Sequence, residues 1–90
     1  MFQILATGRF EKDVKICAKR HYDMVLLQQA VITLQTTGTL PEKYKTHKLV
    51  GNFVHHWEAH IRPDWLIIWL RNDEAKTVTL VRTGTHSDLF

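Results

Sequence analysis

The clearest structural signal in the chain is the stretch from residue 53 to residue 70, which reads FVHHWEAHIRPDWLIIWL. Two kinds of side chain alternate over residues 53–62, and this period predicts a half-buried strand. One set is predicted to face the core (Phe53, Trp57 and Ile61), and the other to form a polar face (His56, Glu58 and His60). Pro63-Asp64 predicts a turn. Trp65–Leu70 is apolar on both faces, as expected of a central strand.

The segment before residue 40 predicts two helices. Phe10, Val14 and Cys17 fall on one face of the first helix. Asp23 is placed to cap the start of the second helix, and Gly38 signals its end. Only a tight corner separates the two, so we expect a helical hairpin that covers one side of a sheet.

Two further segments predict strands. Phe2–Ala6 is a short apolar run, and Thr77–Thr83 is rich in β-branched residues. Residues 38–52 are polar and basic and are predicted to form a loop. The predicted order is β-α-α-β-β-β, an α+β fold in which the hairpin packs on a small, mainly antiparallel sheet. The whole chain, residues 1–90, is expected to be a single domain.

Composition limits the classes of protein to which the chain can belong. Cys17 is the only cysteine, so an internal disulfide and a zinc site built on several thiolates are both excluded. The first residues carry no basic leader, and the longest apolar stretch is too short to cross a bilayer. We therefore expect a reduced, cytoplasmic protein with no membrane partner.

The charge balance favours a polyanionic partner, although weakly. Twelve Lys and Arg residues stand against nine Asp and Glu residues, which gives a formal net charge of +3. The basic residues form two clusters, one in the first helix (Arg9, Lys12, Lys15, Lys19 and Arg20) and one in the predicted loop (Lys43, Lys45 and Lys48). Each cluster is compatible either with an ordinary solvated surface or with a footprint for RNA phosphates.

Histidine is the residue type that carries chemical information. A ribonuclease can use the 2′-hydroxyl of RNA as its nucleophile if one group removes the proton of that hydroxyl and another protonates the leaving oxygen. Histidine suits both steps because its reference pKa is about 6.5. His47, His60 and His86 are candidates, with an aspartate to orient a ring, Arg82 to hold phosphate oxygens and Trp65 or Phe90 to stack on a base. The same polar stripe is also typical of a solvent-facing strand surface.

Metal binding is the competing chemistry. His56, Glu58 and His60 could chelate an ion, with Asp64 as a further oxygen ligand. No HExxH or CxxC motif is present, and the histidine spacing suits a zinc pair only if the segment is helical. A predicted strand therefore argues against a metal site, and no cofactor is expected. Cys17 lies on an apolar helix face, which favours packing over a nucleophilic role.

Three groups of residues resemble the YafQ branch of the RelE toxin superfamily. They are Leu40-Pro41-x-x-Tyr44-x-x-His47-x-Leu49-x-Gly51, Ala59-His60-Ile61-x-Pro63-Asp64-Trp65-Leu66-Ile67-Ile68 and Arg82-Thr83-Gly84-Thr85-His86-x-x-Leu89-Phe90. The similarity extends over nearly the whole chain, including residues 19–24. Because several motifs occur in the same order, the resemblance is specific.

This resemblance implies a RelE-like fold and a ribosome-dependent endoribonuclease that cleaves mRNA in the A site without a metal. It also implies a cognate antitoxin, small, acidic and DNA-binding, in a hetero-oligomer with the toxin. Matched by position, the family's catalytic group falls on His47, His60, Asp64 and His86. Arg82 matches a phosphate-contacting arginine and Phe90 an aromatic that places the substrate. On this basis His60 and Asp64 are assigned near the general base, His86 as the general acid, and His47 and Arg82 to the phosphate.

The chain departs from the family pattern at Trp57, where many relatives carry arginine. His55 and His56 also occupy positions at which relatives tend to have glycine and an aromatic residue. A lost guanidinium would weaken transition-state stabilisation unless one of these histidines compensates for it. The alternatives to a nuclease are therefore a catalytically weak or inactive RNA- or ribosome-binding regulator of the same fold and a metal-dependent hydrolase.

Overall fold

A computed structural model describes all 90 residues and confirms the predicted α+β architecture. Its strands and helices have the following bounds: β1 Gln3–Ala6, α1 Gly8–Lys19, α2 Met24–Thr37, β2 His47–Lys48, β3 Trp57–Arg62, β4 Trp65–Asn72, β5 Thr77–Gly84 and α3 His86–Leu89. Two single 3₁₀ turns, Glu42–Tyr44 and Gly51–Phe53, flank β2. No helix of the structure is long and apolar enough to cross a membrane.

One five-stranded sheet in the order β1-β5-β4-β3-β2 forms the centre of the molecule. The β1–β5 pair is parallel and the other three pairs are antiparallel. β4 is the middle strand, and its residues 65–69 are all buried. The prediction of a central strand, made from an apolar run on both faces, is therefore confirmed.

The helical hairpin packs on one face of the sheet. Asp23 Oδ1 accepts a hydrogen bond from the Val25 N–H at 3.2 Å and caps α2, and Gly38 ends that helix at a φ of 77°. A Cβ at Gly38 would lie 2.6 Å from the Phe2 ring, so both the backbone and the packing require glycine there. The main core lies between hairpin and sheet and includes Phe10, Cys17, Leu27, Ala30, Leu34, Trp65, Ile67 and Trp69.

A second, smaller core covers part of the opposite face. Leu66 and Ile68 of β4 pack there against Leu89 of α3, with Leu49, Phe53 and Val81 around them. α3 is only four residues long and begins with a capping box in which the Thr85 and Asp88 side chains accept from each other's backbone N–H. This C-terminal helix was not predicted from the sequence, and it places His86 over the end of the sheet.

The predicted first long strand begins later than expected, at Trp57 instead of Phe53. The Gly51–Phe53 turn and a φ of 72° at His55 interrupt the extended backbone before Trp57. Phe53 therefore does not share the core face with Trp57 and Ile61, and its ring packs on the small core of the other face. The predicted loop of residues 38–52 likewise contains β2, which pairs with β3.

β1 pairs with only the first half of β5, and side chains from the α1 region form hydrogen bonds with the backbone of the second half. Thr7 Oγ1 donates to the Val81 carbonyl at 2.9 Å, and the Thr83 N–H donates to Asp13 Oδ2 at 3.1 Å. Asp13 is buried and forms a two-point ion pair with Arg82, at 2.7 Å from Nε and 3.2 Å from an η nitrogen. Backbone groups that would otherwise lack partners are thereby satisfied.

Candidate active site

Three histidines from separate parts of the chain form a row on the face with the small core. His47 comes from β2, His60 from β3 and His86 from the first position of α3. The ring centroids of His47 and His60 are 6.3 Å apart, and those of His60 and His86 are 5.7 Å apart. Strand pairing positions the first two because His47 lies opposite Glu58 in the β2–β3 register. We call these three side chains the histidine row.

Glu58 lies beneath two members of this row and is buried, with 4% of its surface exposed. Its Oε1 lies 3.2 Å from His47 Nε2 and 3.8 Å from His60 Nε2. Its Oε2 is buried and has no hydrogen-bond partner. Buried polar atoms are normally paired, so Oε2 is free to accept a further hydrogen bond.

Asp64, in the β3–β4 turn, holds the third histidine. Its Oδ1 accepts from the His86 backbone N–H at 2.9 Å and also contacts His86 Nδ1. Both hydrogen bonds, first that of the backbone and then that of the ring, keep the pKa of the Asp64 carboxyl below its ordinary value. With Nδ1 directed at the carboxylate, Nε2 is the ring nitrogen of His86 left for a substrate.

The other two ring contacts orient His47 and His60. His47 Nδ1 lies 2.8 Å from the Lys45 carbonyl, and His60 Nδ1 lies 3.3 Å from the Pro63 carbonyl. In each ring Nδ1 is therefore occupied by backbone, while Nε2 is directed towards the Glu58 side of the site. His47 and His60 thus share Glu58 Oε1 as the nearest acceptor to their Nε2 atoms.

A two-point ion pair fixes the helix that carries His86. Arg20, at the end of α1, donates to both carboxylate oxygens of Asp88 at 2.6 Å and 3.1 Å. Asp88 Oδ2 also accepts from the Thr85 N–H at 2.9 Å. The Arg20 side chain, followed by the Thr85 N–H, holds the pKa of Asp88 well below its ordinary value. α3 is thereby tied to the helical hairpin.

Arg82, predicted to contact phosphate, is engaged elsewhere. Its side chain is 13% exposed, and Asp13 offsets its charge. A phosphate contact would require part of this ion pair to open, because no N–H of Arg82 reaches the histidine row. In this structure the guanidinium anchors α1 to β5.

The predicted loop lysines divide into two groups. Lys43 and Lys45 line a cleft of about 260 Å³ together with His60, Ile61, Arg62 and Pro63, and this basic cleft contains no carboxylate. Lys48 lies elsewhere, with its ammonium 5.1 Å from the centre of the Trp57 ring. Only Lys43 and Lys45 therefore stand beside the histidine row.

The two aromatic candidates also differ. Trp65 is 1% exposed, and its indole N–H donates to Thr83 Oγ1 at 3.0 Å, so it is a core residue and not a platform for a base. Phe90 is 63% exposed and packs edge-on against Phe53 with centroids 5.7 Å apart. Of these two candidates, only Phe90 is accessible for stacking.

A family model described as a bacterial toxin of a type II toxin–antitoxin system, YafQ, matches residues 2–90. The chain belongs to the YafQ toxin family. It is 40% identical over 85 residues to the mRNA interferase toxin YafQ of Escherichia coli K12, across 93% of this chain and 90% of that protein. The protein is thus the toxin component of a type II toxin–antitoxin system.

Two solved structures share the YafQ-family fold closely. A metal-bound toxin from Helicobacter pylori superimposes with a TM-score of 0.90 at 39% identity, with both chains fully covered. YafQ in the E. coli DinJ–YafQ complex superimposes with a TM-score of 0.85 at 39% identity, across 100% of this chain and 99% of that one. Both superpositions extend over the full length of this chain.

The ligand set considered for a metal is not assembled in this member of the YafQ family. His56 precedes β3, where its ring contacts the Val54 carbonyl at 3.1 Å and packs against Phe53. Asp64 is bonded to His86 instead of facing Glu58. No group of three or more His, Cys, Asp or Glu side chains is arranged to hold an ion. Burial raises the pKa of the Cys17 thiol, in keeping with a packing residue.

Trp57, the departure from the family pattern, lies outside the histidine row. Strand alternation sends it to the hairpin face, where it packs on the main core, whereas Glu58 and His60 face the other side. Sequence reasoning considered Glu58 only as a metal ligand and missed its contacts with two histidines. The spacing Glu58-x-His60 on a strand was the available signal, because it places both side chains on one face.

Proposed function

We propose that this toxin is a ribosome-dependent endoribonuclease that cleaves mRNA in the A site by metal-independent acid–base catalysis. The observation that carries the proposal is the convergence of His60, His86 and two carboxylates from three segments, β3, the β3–β4 turn and α3. A base, an acid and an orienting group for each are the minimum that 2′-hydroxyl attack requires. The E. coli relative is itself an mRNA interferase.

In the proposed reaction, His60 Nε2 takes the proton of the 2′-hydroxyl, and the resulting oxygen attacks the adjacent phosphorus. The bond from phosphorus to the 5′-oxygen breaks, and His86 Nε2 gives its proton to that oxygen. The products are a 2′,3′-cyclic phosphate and a 5′-hydroxyl, so atoms and charge balance without a co-reactant. His47, and the lysines of the basic cleft, offset charge on the phosphorane-like transition state.

The two carboxylates have separate tasks in this scheme. Asp64 contacts His86 at both the backbone N–H and Nδ1, which favours an orienting role for the general acid over the role near the base first assigned to it. Glu58 stands near His60 Nε2 at 3.8 Å and so takes the place beside the base. A carboxylate next to each imidazole stabilises its protonated form during the reaction.

A cognate antitoxin is the second partner in the proposal. The E. coli relative was crystallised with DinJ, and this chain's net charge of +3 favours a small, acidic partner. α2 presents Val25 and Ile32, each more than half exposed, as an apolar contact for it. The antitoxin is expected to bind DNA as well, and to store the toxin in a hetero-oligomer.

The deciding experiment uses translating ribosomes and 5′-end mapping of mRNA, with wild type and His86→Ala compared. Wild type is expected to cut within A-site codons and to leave 5′-hydroxyl ends, while His86→Ala leaves the message intact. Toxin stripped with a chelator and dialysed before addition should cut equally well. Ribosome binding without cleavage would favour the regulator, and loss of cleavage after chelation, restored by metal, would favour the hydrolase.

A further inference from the structure

The largest cleft of the molecule adjoins the histidine row and has no role in the reaction as described. It has a volume of about 430 Å³ and lies between the α1–α2 corner and the β3–β4 turn. Its lining residues are His21, Tyr22, Asp23, Arg62, Asp64 and Trp65. Asp64 also contacts His86, so whatever enters this helix-corner cleft lies next to the proposed general acid.

The charges of the two clefts beside the row are different. The basic cleft has Lys43, Lys45 and Arg62 and no carboxylate, and none of these cations forms an ion pair. The helix-corner cleft has two carboxylates, which would repel a phosphate. The basic cleft therefore suits a phosphate, and the helix-corner cleft suits an uncharged group attached to it.

Arg62 lines both clefts and thus connects them. In one RNA strand, each charged phosphate lies next to an uncharged base. The two adjoining clefts therefore match a phosphate and the neighbouring base of the same strand. At about 430 Å³ the helix-corner cleft falls within the roughly 300–1,000 Å³ of ordinary small-ligand sites, while the basic cleft is smaller.

The helix-corner cleft offers the contacts that a base requires. The half-buried Tyr22 ring is held against Trp65, with centroids 4.8 Å apart, and provides an aromatic wall. Asp64 uses Oδ1 for His86, and Oδ2 makes no hydrogen bond. The Arg62 guanidinium is exposed and unpaired. An arginine matches the O6 and N7 acceptors of guanine, and a carboxylate accepts from amino groups of bases.

We propose that the helix-corner cleft binds a nucleobase, preferably guanine, of the nucleotide next to the scissile bond, with Arg62 holding the phosphate that leads to it. This inference rests on the proposed nuclease function and adds a base-selective subsite to it. Tyr22 stacks on the base, Asp64 Oδ2 and Asp23 accept from its amino and imino groups, and Arg62 spans base and phosphate.

Backbone NMR of the intact toxin with a trinucleotide RNA tests binding. Methylation of every 2′-hydroxyl prevents cleavage, and removal of each base in turn gives three abasic probes. The full probe should shift the backbone amide resonances of His21, Tyr22 and Asp23 together with those of Lys43 and Lys45. One abasic probe should no longer shift the resonances of His21, Tyr22 and Asp23 but should still shift those of Lys43 and Lys45. Inorganic phosphate should shift the basic cleft alone. Absence of shifts at the helix corner, or identical shifts with all abasic probes, would overturn the subsite.

Arg62→Gln and the control Lys76→Gln test the residue, since Lys76 is an exposed cation between β4 and β5 that lines neither cleft. Arg62→Gln should weaken trinucleotide binding about tenfold, the scale of one good base contact, and should widen the range of bases found beside the mapped cuts. Lys76→Gln should leave both unchanged. If wild type fails to cut, the nuclease proposal fails. If wild type and Arg62→Gln cut equally with the same flanking bases, only the subsite fails.

Discussion

A buried carboxylate with one unpaired oxygen is costly, and at Glu58 the packing of the domain does not account for it. Its Oε1 lies near two histidines while Oε2 has no partner. An unsatisfied buried acceptor costs about 1–3 kcal/mol. Such a cost is commonly found where a residue acts on substrate or on a catalytic neighbour.

Glu58→Gln should therefore separate activity from stability. The amide keeps the shape but removes the negative charge beside His60, so the cleavage rate should fall by about 100-fold, within the range of general acid–base effects. The free energy of unfolding should stay the same or rise, because the desolvation cost of a buried carboxylate with one unpartnered oxygen is removed. Urea unfolding and single-turnover cleavage measure the two quantities. Glu42→Gln, at an exposed glutamate in a 3₁₀ turn, is the control and should change neither. Equal cleavage by both variants would remove Glu58 from the site.

Asp64→Asn tests the orientation of the general acid. An amide can still accept from the His86 N–H, but it no longer stabilises a protonated ring at Nδ1. We expect the cleavage rate to fall about 100-fold, whereas binding of uncleavable RNA should weaken by no more than about tenfold, because Asp64 Oδ2 is only one of the contacts proposed for the base. Asp73→Asn is the control, because Asp73 is an exposed aspartate paired only with Arg71 in the β4–β5 turn. A drop in RNA affinity equal to the drop in rate would show that Asp64 binds substrate instead of orienting His86.

Single residues also show where pattern reasoning reaches its limit. Alternation correctly assigned Glu58 and His60 to one face, yet it could not tell that Glu58 is buried beneath the row. Trp65 was a candidate for stacking on a base, but it is buried, with its indole in contact with Thr83 and Tyr22. Strand alternation sets which face of the sheet a side chain occupies, whereas the solvent exposure of that side chain depends on segments that are distant in sequence.

Among the secondary-structure elements, α3 depends most on tertiary contacts. Four residues are too few for an isolated helix, because the cost of nucleation leaves isolated helices shorter than about 12 residues only marginally stable in water. Leu89 in the small core, the Thr85–Asp88 capping box and the Arg20–Asp88 ion pair hold it in place. This explains why the sequence did not reveal α3, although capping residues were present.

Asp88→Asn and Arg20→Gln should loosen α3 and misplace His86. Cleavage should fall about tenfold in each, and the double variant should lose little more, because both remove one shared contact. The free energy of unfolding should drop by only about 1 kcal/mol in Asp88→Asn, which weakens the capping box, and should change less in Arg20→Gln, which removes only an exposed ion pair. Amide exchange of residues 85–90 measures the local effect. Ser87→Ala, at an exposed position without side-chain contacts, is the control. Fully additive losses would contradict a shared anchor.

The same contacts predict how α3 responds to acid. The folded-state pKa values of Asp64 and Asp88 both lie below their ordinary values. A carboxyl with a lowered folded pKa adds stability that is complete above its unfolded pKa, about 3.9, and is lost as pH falls through the folded value. α3 should therefore remain docked from neutral pH to about pH 4 and loosen below it, as seen by exchange at residues 85–90.

The long elements and β1 were predictable, whereas β2 and α3 were not. Helical periodicity gave α1 and α2, alternation gave β3, an apolar run gave β4 and β-branched composition gave β5. β2 has two residues and exists only through its pairing with β3. The late start of β3 depends on a left-handed His55, a conformation that propensity does not indicate for histidine in a strand pattern.

In the whole molecule, the sheet separates the residues that stabilise the fold from the candidate catalytic residues. The helical hairpin seals one face with the main core, whereas the other face carries a small core and the histidine row. The two basic clusters follow the same division. Lys43 and Lys45 adjoin the row, while the α1 lysines are exposed on the hairpin.

This division predicts that the two clusters differ in function. Lys43→Gln with Lys45→Gln should weaken binding of an uncleavable trinucleotide and of ribosomes alike, and should reduce the salt slope on single-stranded RNA by about 0.7 per lost phosphate contact. Lys12→Gln with Lys15→Gln removes the same charge from α1. On the proposal that α1 contacts ribosomal RNA and not the cleaved strand, it should weaken ribosome binding but leave trinucleotide binding unchanged. Affinities measured between about 50 and 200 mM salt cover the range in which such contacts are lost. If the α1 pair leaves ribosome affinity unchanged, its lysines are an ordinary solvated helix face, and recognition of the ribosome falls to the side that carries the histidine row.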